Sequence, residues 1–210
     1  MSTSRRSPVW FYLCLSILVL LSFYYLYRAI SFRFLVPGGL GPDLLNKQLF
    51  YVAHLVMALP VLLGAPLQFI TSLRNSRPAL HRVIGRAYVI GATVAALTAI
   101  WLGATIEYEG SRLPLVMLAS LWLFFTLAAW RCAVRRKFIA HRQFMIRSYT
   151  LALVLVWLRL MYDFQDVLFF YVSDETIRDV TREWASWVVP LLAVELWLSW
   201  LPMVRGTNRP

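Results

Sequence analysis

The sequence has little charge and few residues suited to a soluble active site. Of its 210 residues only 15% are charged and 60% are hydrophobic, and it contains two cysteines and three histidines. A typical soluble domain has about 25% charged residues, so this composition excludes an ordinary soluble protein. The balance is typical of an integral membrane protein.

The short motifs that mark common enzyme classes are also missing. No CxxC, HExxH, GxSxG, GxGxxG or P-loop pattern occurs in the sequence. Each of these patterns supplies a particular chemistry, namely metal or redox cysteines, a zinc site, an activated serine, or a phosphate cradle. The sequence therefore neither indicates nor excludes an enzyme. Cys14 and Cys132 fall in different apolar runs, and we predict no disulfide between them.

Long apolar runs are what the sequence has instead. A bilayer core of roughly 30 Å needs about 20 apolar residues per helix. Six segments approach this length, at residues 9–27, 49–73, 83–106, 113–134, 144–162 and 184–204. The pattern predicts an all-α fold, a six-helix transmembrane bundle that forms a single integral membrane domain over residues 1–210.

Basic residues collect on one side of this predicted topology. The chain ends, with Arg5, Arg6 and Arg209, and the connections around residues 74–82 and 131–142 carry basic residues and no acid. Nine of the ten acids, all except Glu195, fall on the other side. The positive-inside rule then places both termini in the cytoplasm. A net charge of +11 suits anionic lipid headgroups and needs no nucleic acid.

The last outer connection contains the polar stretch "SDETIRDVTREW", residues 173–184. Ser173 or Asp174 is suited to cap a helix, with Ile177 and Val180 on its membrane side. We expect a short interfacial helix here, on the outer surface.

Two similar stretches begin the third and fifth predicted spans. "LHRVIGRAY", residues 80–88, and "AHRQFMIRSY", residues 140–149, each place His-Arg, a second arginine and a tyrosine at the start of an apolar run. The spacing from histidine to second arginine differs by one residue, so a true internal duplication and a coincidence both remain open. Both stretches start the second helix of a predicted hairpin on the cytoplasmic side.

Four motifs carry a resemblance to a known family. "GAPLQF" (64–69), "LHRVIGRAYVIG" (80–91), "HRQFMIRSYTLAL" (141–153) and "LRLMYDF" (158–164) resemble the domain-of-unknown-function 2306 family of predicted bacterial membrane proteins. The resemblance extends from about residue 49 to about residue 164. It implies a multi-pass helical protein of the inner membrane, and it implies no established activity.

His81 and His141 suggest one functional hypothesis, a b-type haem or another redox role. Membrane haem proteins of this type hold iron between two imidazoles at equal depth, and Gly85 would leave room for the porphyrin. The cations suited to the haem propionates are Arg82, Arg86, Arg142 and Arg147. Against this hypothesis, these two histidines lie at the start of their helices, whereas many haem ligands lie deeper.

The same residues support a different class of function. A basic surface at the membrane boundary suits an anionic lipid headgroup or a small anionic molecule. Pro60 and Pro66 would allow a transport role if they break the second span, although prolines are also tolerated in membrane helices. A third alternative is an accessory subunit of a membrane complex, with partner subunits or further copies of this chain.

Five further polar side chains inside or at the ends of the predicted spans are candidates for a structural or functional role. They are His54, Gln68, Arg159, Asp163 and Glu195. Unpaired charge in a bilayer is costly, so we expect Arg159 to pair with Glu195, with Asp163 as an alternative partner. We interpret such a pair as a structural clamp; a transport site, or a proton relay through His54, is the functional alternative.

Overall fold

The computed structural model describes residues 9–39 and 41–206, without the side chains of Asp43 and Leu44. All the regular secondary structure over these residues is helical, which confirms the predicted all-α class. Arg5, Arg6 and Arg209, which entered the topology prediction, lie outside the described residues.

The helices follow the apolar runs of the sequence. Over the described residues they are α1 (Val9–Leu35), α2 (Gly41–Asn46), α3 (Gln48–Gln68), α4 (Thr71–Ser76), α5 (Pro78–Thr105), α6 (Glu109–Val134), α7 (Phe138–Ala152), α8 (Val154–Asp163), α9 (Gln165–Leu168), α10 (Glu175–Glu195) and α11 (Leu201–Val204). A π-helical turn, Leu196–Trp200, joins α10 to α11.

Several of these helices are long and apolar enough to cross a membrane. Within the described ranges they are α1, α3, α5, α6 and the segment Glu175–Val204, and the pair α7 and α8 makes a sixth if it is counted as one span. The pair is bent by 41° where the two helices meet at Leu153. The structure thus has five to six candidate spans at the predicted places.

Several helix ends differ from the predicted span ends; α1, for example, continues to Leu35, and α5 already begins at Pro78. The second span was expected to reach residue 73, but α3 continues through Pro60 and ends at Gln68, two residues after Pro66. The sixth was expected to start at residue 184, but α10 already begins at Glu175. Asp174 caps it as predicted, because its Oδ1 accepts a hydrogen bond from the Ile177 N–H at 2.9 Å.

The acidic stretch 173–184 is therefore not a separate short helix. Its residues from Glu175 onward form the first part of α10, which continues without a break to Glu195. The amphipathic spacing that predicted a helix was correct, but a local pattern does not reveal that the next apolar run continues the same helix. Its position at the membrane surface stays a prediction.

The chain divides into two compact units, which meet between Ala95 and Ala96 within α5. In the first unit α3 and α5 approach closely at Gly91, where an added Cβ would lie 2.5 Å from the carbonyl oxygen of Met57. Only glycine allows this approach, and such small residues are common where membrane helices meet.

In the second unit, α6 and α7 form a hairpin that α10 covers. The hydroxyls of Thr126 on α6 and Ser148 on α7 lie 2.8 Å apart and are fully buried. Helix α10 packs against α6, α7 and α8. A buried hydroxyl pair is one of the polar contacts that hold membrane helices together.

The turn between α6 and α7 has a defined backbone geometry. Arg136 adopts φ +58, the left-handed conformation usually given to glycine. The Lys137 N–H donates to Cys132 O at 2.9 Å and the Arg136 N–H to Ala133 O at 3.0 Å. These two bonds form a Schellman motif, so the exposed basic turn is held in one conformation.

Candidate functional site

The predicted site residues fall into both units. His54, Gln68, His81, Arg82, Gly85 and Arg86 belong to the first unit, and His141, Arg142, Arg147, Arg159, Asp163 and Glu195 belong to the second. Within each unit the structure shows what surrounds these side chains. The haem hypothesis, which needs His81 and His141 together, stays a prediction.

Gly85 faces a side chain of the neighbouring helix. A Cβ added at Gly85 would lie 3.6 Å from Oε1 of Gln68, an ordinary van der Waals contact. The amide nitrogen of Gln68 is buried and has no hydrogen-bond partner among the described residues. Alanine would therefore fit at this position, so the packing of α5 against the end of α3 does not require this glycine.

Two histidines make the same kind of contact in their separate hairpins. His54 Nδ1 lies 2.8 Å from the backbone oxygen of Ala95. His141 Nδ1 lies 2.9 Å from the backbone oxygen of Ala129. A neutral imidazole that donates from Nδ1 keeps the lone pair of Nε2 available. Each ring thus bridges the two helices of its hairpin, and the partner of His54 is a carbonyl and not a carboxylate.

Glu195 pairs with Arg147, so the expected pair with Arg159 is wrong. Arg147 Nη2 donates to Glu195 Oε2 at 2.8 Å, and Arg147 Nε donates to Oε1 of the same carboxylate. Such two-point contacts between arginine and a carboxylate are among the strongest side-chain interactions. The two side chains are only 11% and 25% exposed. Arg147 is therefore neutralised and is not a free cation for a ligand.

The residues after Glu195 complete this contact. Ser199 Oγ donates to Glu195 Oε2 at 3.0 Å and accepts a hydrogen bond from Arg147 Nη2 at 3.1 Å. Ser199 belongs to the π-helical turn Leu196–Trp200. Single π-helical turns inside helices occur frequently at functional sites. The ion pair and Ser199 hold this turn against α7.

A groove lies between α7 and the C-terminal helical segment, and we call it the α7 groove. Its volume is about 320 Å³. It is lined by Ile139, Arg142, Gln143, Ile146, Trp197, Leu198 and Pro202. The α7 residues recur every three or four positions and so share one face of the helix. Ile146 and Trp197 are close in sequence to Arg147 and Glu195, so the ion pair lies beside the groove.

The α7 groove combines one cation with an apolar lining. Arg142 is exposed and has no ion pair among the residues that the structure describes, and Gln143 is the other polar lining residue. Four more exposed cations lie nearby in sequence, Arg131, Arg135, Arg136 and Lys137. The sequence from residue 110 to residue 162 contains no acid, so this end of the unit attracts anions.

Sequence reasoning identified Arg142 but missed the other side of the groove. Trp197, Leu198 and Pro202 sit in an apolar run without any polar signal, and only the fold brings them to α7. Glu195 was the one available signal, because a lone acid in a span requires a partner nearby. Over the described ranges, no three His, Cys, Asp or Glu side chains form a cluster that could hold a metal ion.

Comparison with known proteins gives a family and nothing more specific. A family model described as "Predicted membrane protein (DUF2306)" matches residues 51–198. This range begins within α3 and contains both His-Arg stretches and Glu195. No curated protein and no solved structure matches the chain.

Proposed function

The chain belongs to that family of predicted membrane proteins, and from this premise we propose that it binds an anionic membrane lipid in the α7 groove. The proposal includes the orientation that the basic residues predict, with the α6–α7 turn on the cytoplasmic side of the inner membrane. The lipid headgroup would then meet Arg142 at the membrane surface, and its acyl chains would extend along the apolar part of the groove.

The headgroup contact rests on the chemistry of Arg142. A guanidinium presents two parallel N–H donors that match a phosphate, and Gln143 beside it adds an amide donor. The α6–α7 turn adds a broader attraction, of about 1 kcal/mol for each basic residue near an anionic surface. Arg142 differs from the turn residues because it alone among these cations lines the groove.

The apolar lining supports a lipid over a free anion. Ile139, Ile146, Leu198 and the ring of Trp197 offer a surface for the glycerol region and the first part of a chain. A volume of about 320 Å³ is at the lower end for ligand sites and does not enclose a whole lipid. An acyl chain gains little free energy when it moves from the surrounding lipids into the groove, so selectivity among lipids must come from the headgroup.

The observation that carries the proposal is the contrast between the two arginines of α7. Arg147 is committed to Glu195, whereas Arg142, five residues earlier, faces the groove without an ionic partner in the described part of the chain. An unpaired guanidinium beside apolar surface in a membrane protein favours an anionic amphiphile as its partner.

Native mass spectrometry of the detergent-purified protein tests the proposal. We expect phosphatidylglycerol to bind more tightly than phosphatidylcholine, and glycerol 3-phosphate, which has the phosphate without chains, to bind weakly. Arg142→Gln removes a charge-assisted contact of about 1.5–3 kcal/mol, a loss of about tenfold to a hundredfold in affinity. The matched control Arg135→Gln, outside the groove lining, should cost only about fivefold.

The position of the lipid has its own test. Phosphatidylglycerol with brominated chains should quench part of the tryptophan fluorescence, and Trp197→Phe should remove that part because Trp197 lines the groove. Equal losses from Arg142→Gln and Arg135→Gln, with quenching unchanged in Trp197→Phe, would mean that the basic end only attracts the membrane surface.

A haem role is the second candidate, and one contact favours it. The bond between His141 and Ala129 fixes the imidazole and leaves Nε2 available, as in histidines that bind a metal. The second ligand, His81, and haem b itself stay predictions from the sequence. Sharp haem bands in a reduced-minus-oxidised absorbance spectrum would support this role, and a spectrum without them would end it.

A further inference from the structure

A second polar site lies at the opposite end of α6 from the basic turn. Ser111, in the first turn of α6, donates from Oγ to Oε1 of Glu183 on α10 at 2.8 Å. Ser111 is buried, and so is Ser186, which donates to the backbone oxygen of Glu183 at 2.8 Å. The carboxyl group of Glu183 is therefore held between two helices. We call this pair, Ser111 and Glu183, the outer carboxyl site.

The second oxygen of this carboxyl group has no partner. Oε2 of Glu183 is buried and receives no hydrogen bond from any residue that the structure describes. A carboxylate oxygen shielded in this way loses its hydration without compensation, which disfavours the charged form. A proton on Oε2 removes that charge.

Arg182, the neighbouring cation on α10, donates its hydrogen bonds to residues other than Glu183. On α10 the adjacent charged residues are Asp179 and Arg182. Arg182 donates to Oε1 of Gln165 and to Oδ1 of Asp179, and its guanidinium carbon lies 4.7 Å from the centre of the Tyr162 ring. The guanidinium is thus engaged with α9, with its own helix and with α8.

Helix α6 brings no free cation to the site either. Arg112, next to Ser111, donates from Nε to Ile106 O at 2.9 Å and from Nη1 to Glu109 at 3.4 Å. From α6, then, the group that contacts Glu183 is the Ser111 hydroxyl, a neutral donor. Gly110 before it lets α10 approach, since an added Cβ would lie 3.0 Å from Val180 Cγ2.

From this geometry we propose that Glu183 is a proton-binding site, a neutral carboxylic acid with its proton on Oε2 and Ser111 donating to Oε1. The site is independent of the α7 groove, from which it is separated by most of the length of α6. It differs from the Glu195 carboxylate, which is fully engaged by Arg147 and Ser199. Its ligand is the proton itself.

A hydrophobic carbodiimide distinguishes such an acid from a carboxylate. The O–H of the acid adds across a C=N bond of dicyclohexylcarbodiimide to give an O-acylisourea. The acyl group then shifts to nitrogen and leaves a stable N-acylurea that carries the whole reagent. An ionised carboxylate has no proton to give and does not react in this way.

The experiment treats the purified protein with dicyclohexylcarbodiimide at neutral pH and locates the label by peptide mass mapping. We expect label at Glu183, loss of that label in Glu183→Gln, and loss of labelling as the pH is raised. Glu109→Gln is the matched control, because Glu109 is also near the start of α6 but is 83% exposed. This variant should keep the label at Glu183.

Ser111→Ala adds a variant that leaves the acid in place. Removal of a neutral donor further disfavours the charged form, so labelling of Glu183 should persist or increase. An unlabelled Glu183 in the wild-type protein, or equal labelling of Glu183 and Glu109, overturns the proposal. Because the wild-type map alone decides this point, the test does not depend on the folding of Glu183→Gln.

Discussion

Glu195→Gln removes the ionic partner of a largely buried arginine. In the native protein Arg147 donates three hydrogen bonds, two to the Glu195 carboxylate and one to Ser199. Glutamine keeps the size of the side chain but brings no charge. The Arg147 guanidinium, only 11% exposed, is then left charged without a counterion.

The expected loss follows from burial. Breaking a buried ion pair by removal of one partner costs about 3–5 kcal/mol, and we expect about 3 kcal/mol because Glu195 is 25% exposed. Arg147→Gln should cost less, about 2 kcal/mol, since the remaining carboxylate keeps the Ser199 donor and can take up a proton. In the double variant no charge remains, and we expect it to be more stable than Glu195→Gln alone.

Unfolding of the protein in mixed detergent micelles, followed by tryptophan fluorescence, measures these differences as a double-mutant cycle. Glu109→Gln is the matched control, because Glu109 pairs with Arg112 at 3.4 Å on an exposed surface. Its effect should stay within about 0.5 kcal/mol.

Two results would contradict this reasoning. If the double variant loses as much stability as the two single variants together, the side chains do not interact. If Arg147→Gln destabilises the protein more than Glu195→Gln does, the buried guanidinium is not the source of the cost.

The remaining predictions concern the first unit and the haem hypothesis. Gly91→Ala should destabilise the protein by about 1–3 kcal/mol in the same unfolding assay, because its Cβ would meet a backbone carbonyl of α3 at 2.5 Å. Gly85→Ala, whose Cβ would lie 3.6 Å from a side-chain oxygen, should leave the stability unchanged or raise it by up to about 1 kcal/mol. An equal loss of stability in both variants would mean that close approach of the helices does not explain the glycine at position 91. If haem is bound, the reduced-minus-oxidised absorbance spectrum shows sharp bands that His81→Ala and His141→Ala remove, and a wild-type spectrum without bands ends that hypothesis.

Hydropathy predicts the membrane helices well because a helix in a bilayer must satisfy its backbone hydrogen bonds internally and present apolar side chains to the lipid. The end of α6 falls at the predicted residue, Val134. The bend at Leu153 was not predictable, because the sequence around it contains neither proline nor glycine. A bend without such residues depends on packing that a linear pattern does not contain.

The error over Glu195 has a geometric reason. Both depths are counted along the helix from the predicted outer end of the span. Glu195 lies about 16 Å from Trp184, whereas Arg159 lies only about 5 Å from Tyr162. The two depths therefore differ, and Arg147 matches Glu195 better. Periodicity indicates the depth and the face of a residue on one helix, but which helix faces contact each other depends on the whole fold. For this reason the sequence did not predict the C-terminal side of the α7 groove, formed by Trp197, Leu198 and Pro202.

The left-handed backbone of Arg136 has a consequence for how this hairpin trades stability against charge. A residue with a Cβ in this conformation is less stable than glycine by about 1–2 kcal/mol. Glycine at this corner would avoid that cost, but it would remove a cation from the α6–α7 turn. The corner therefore keeps a basic side chain at the expense of backbone stability.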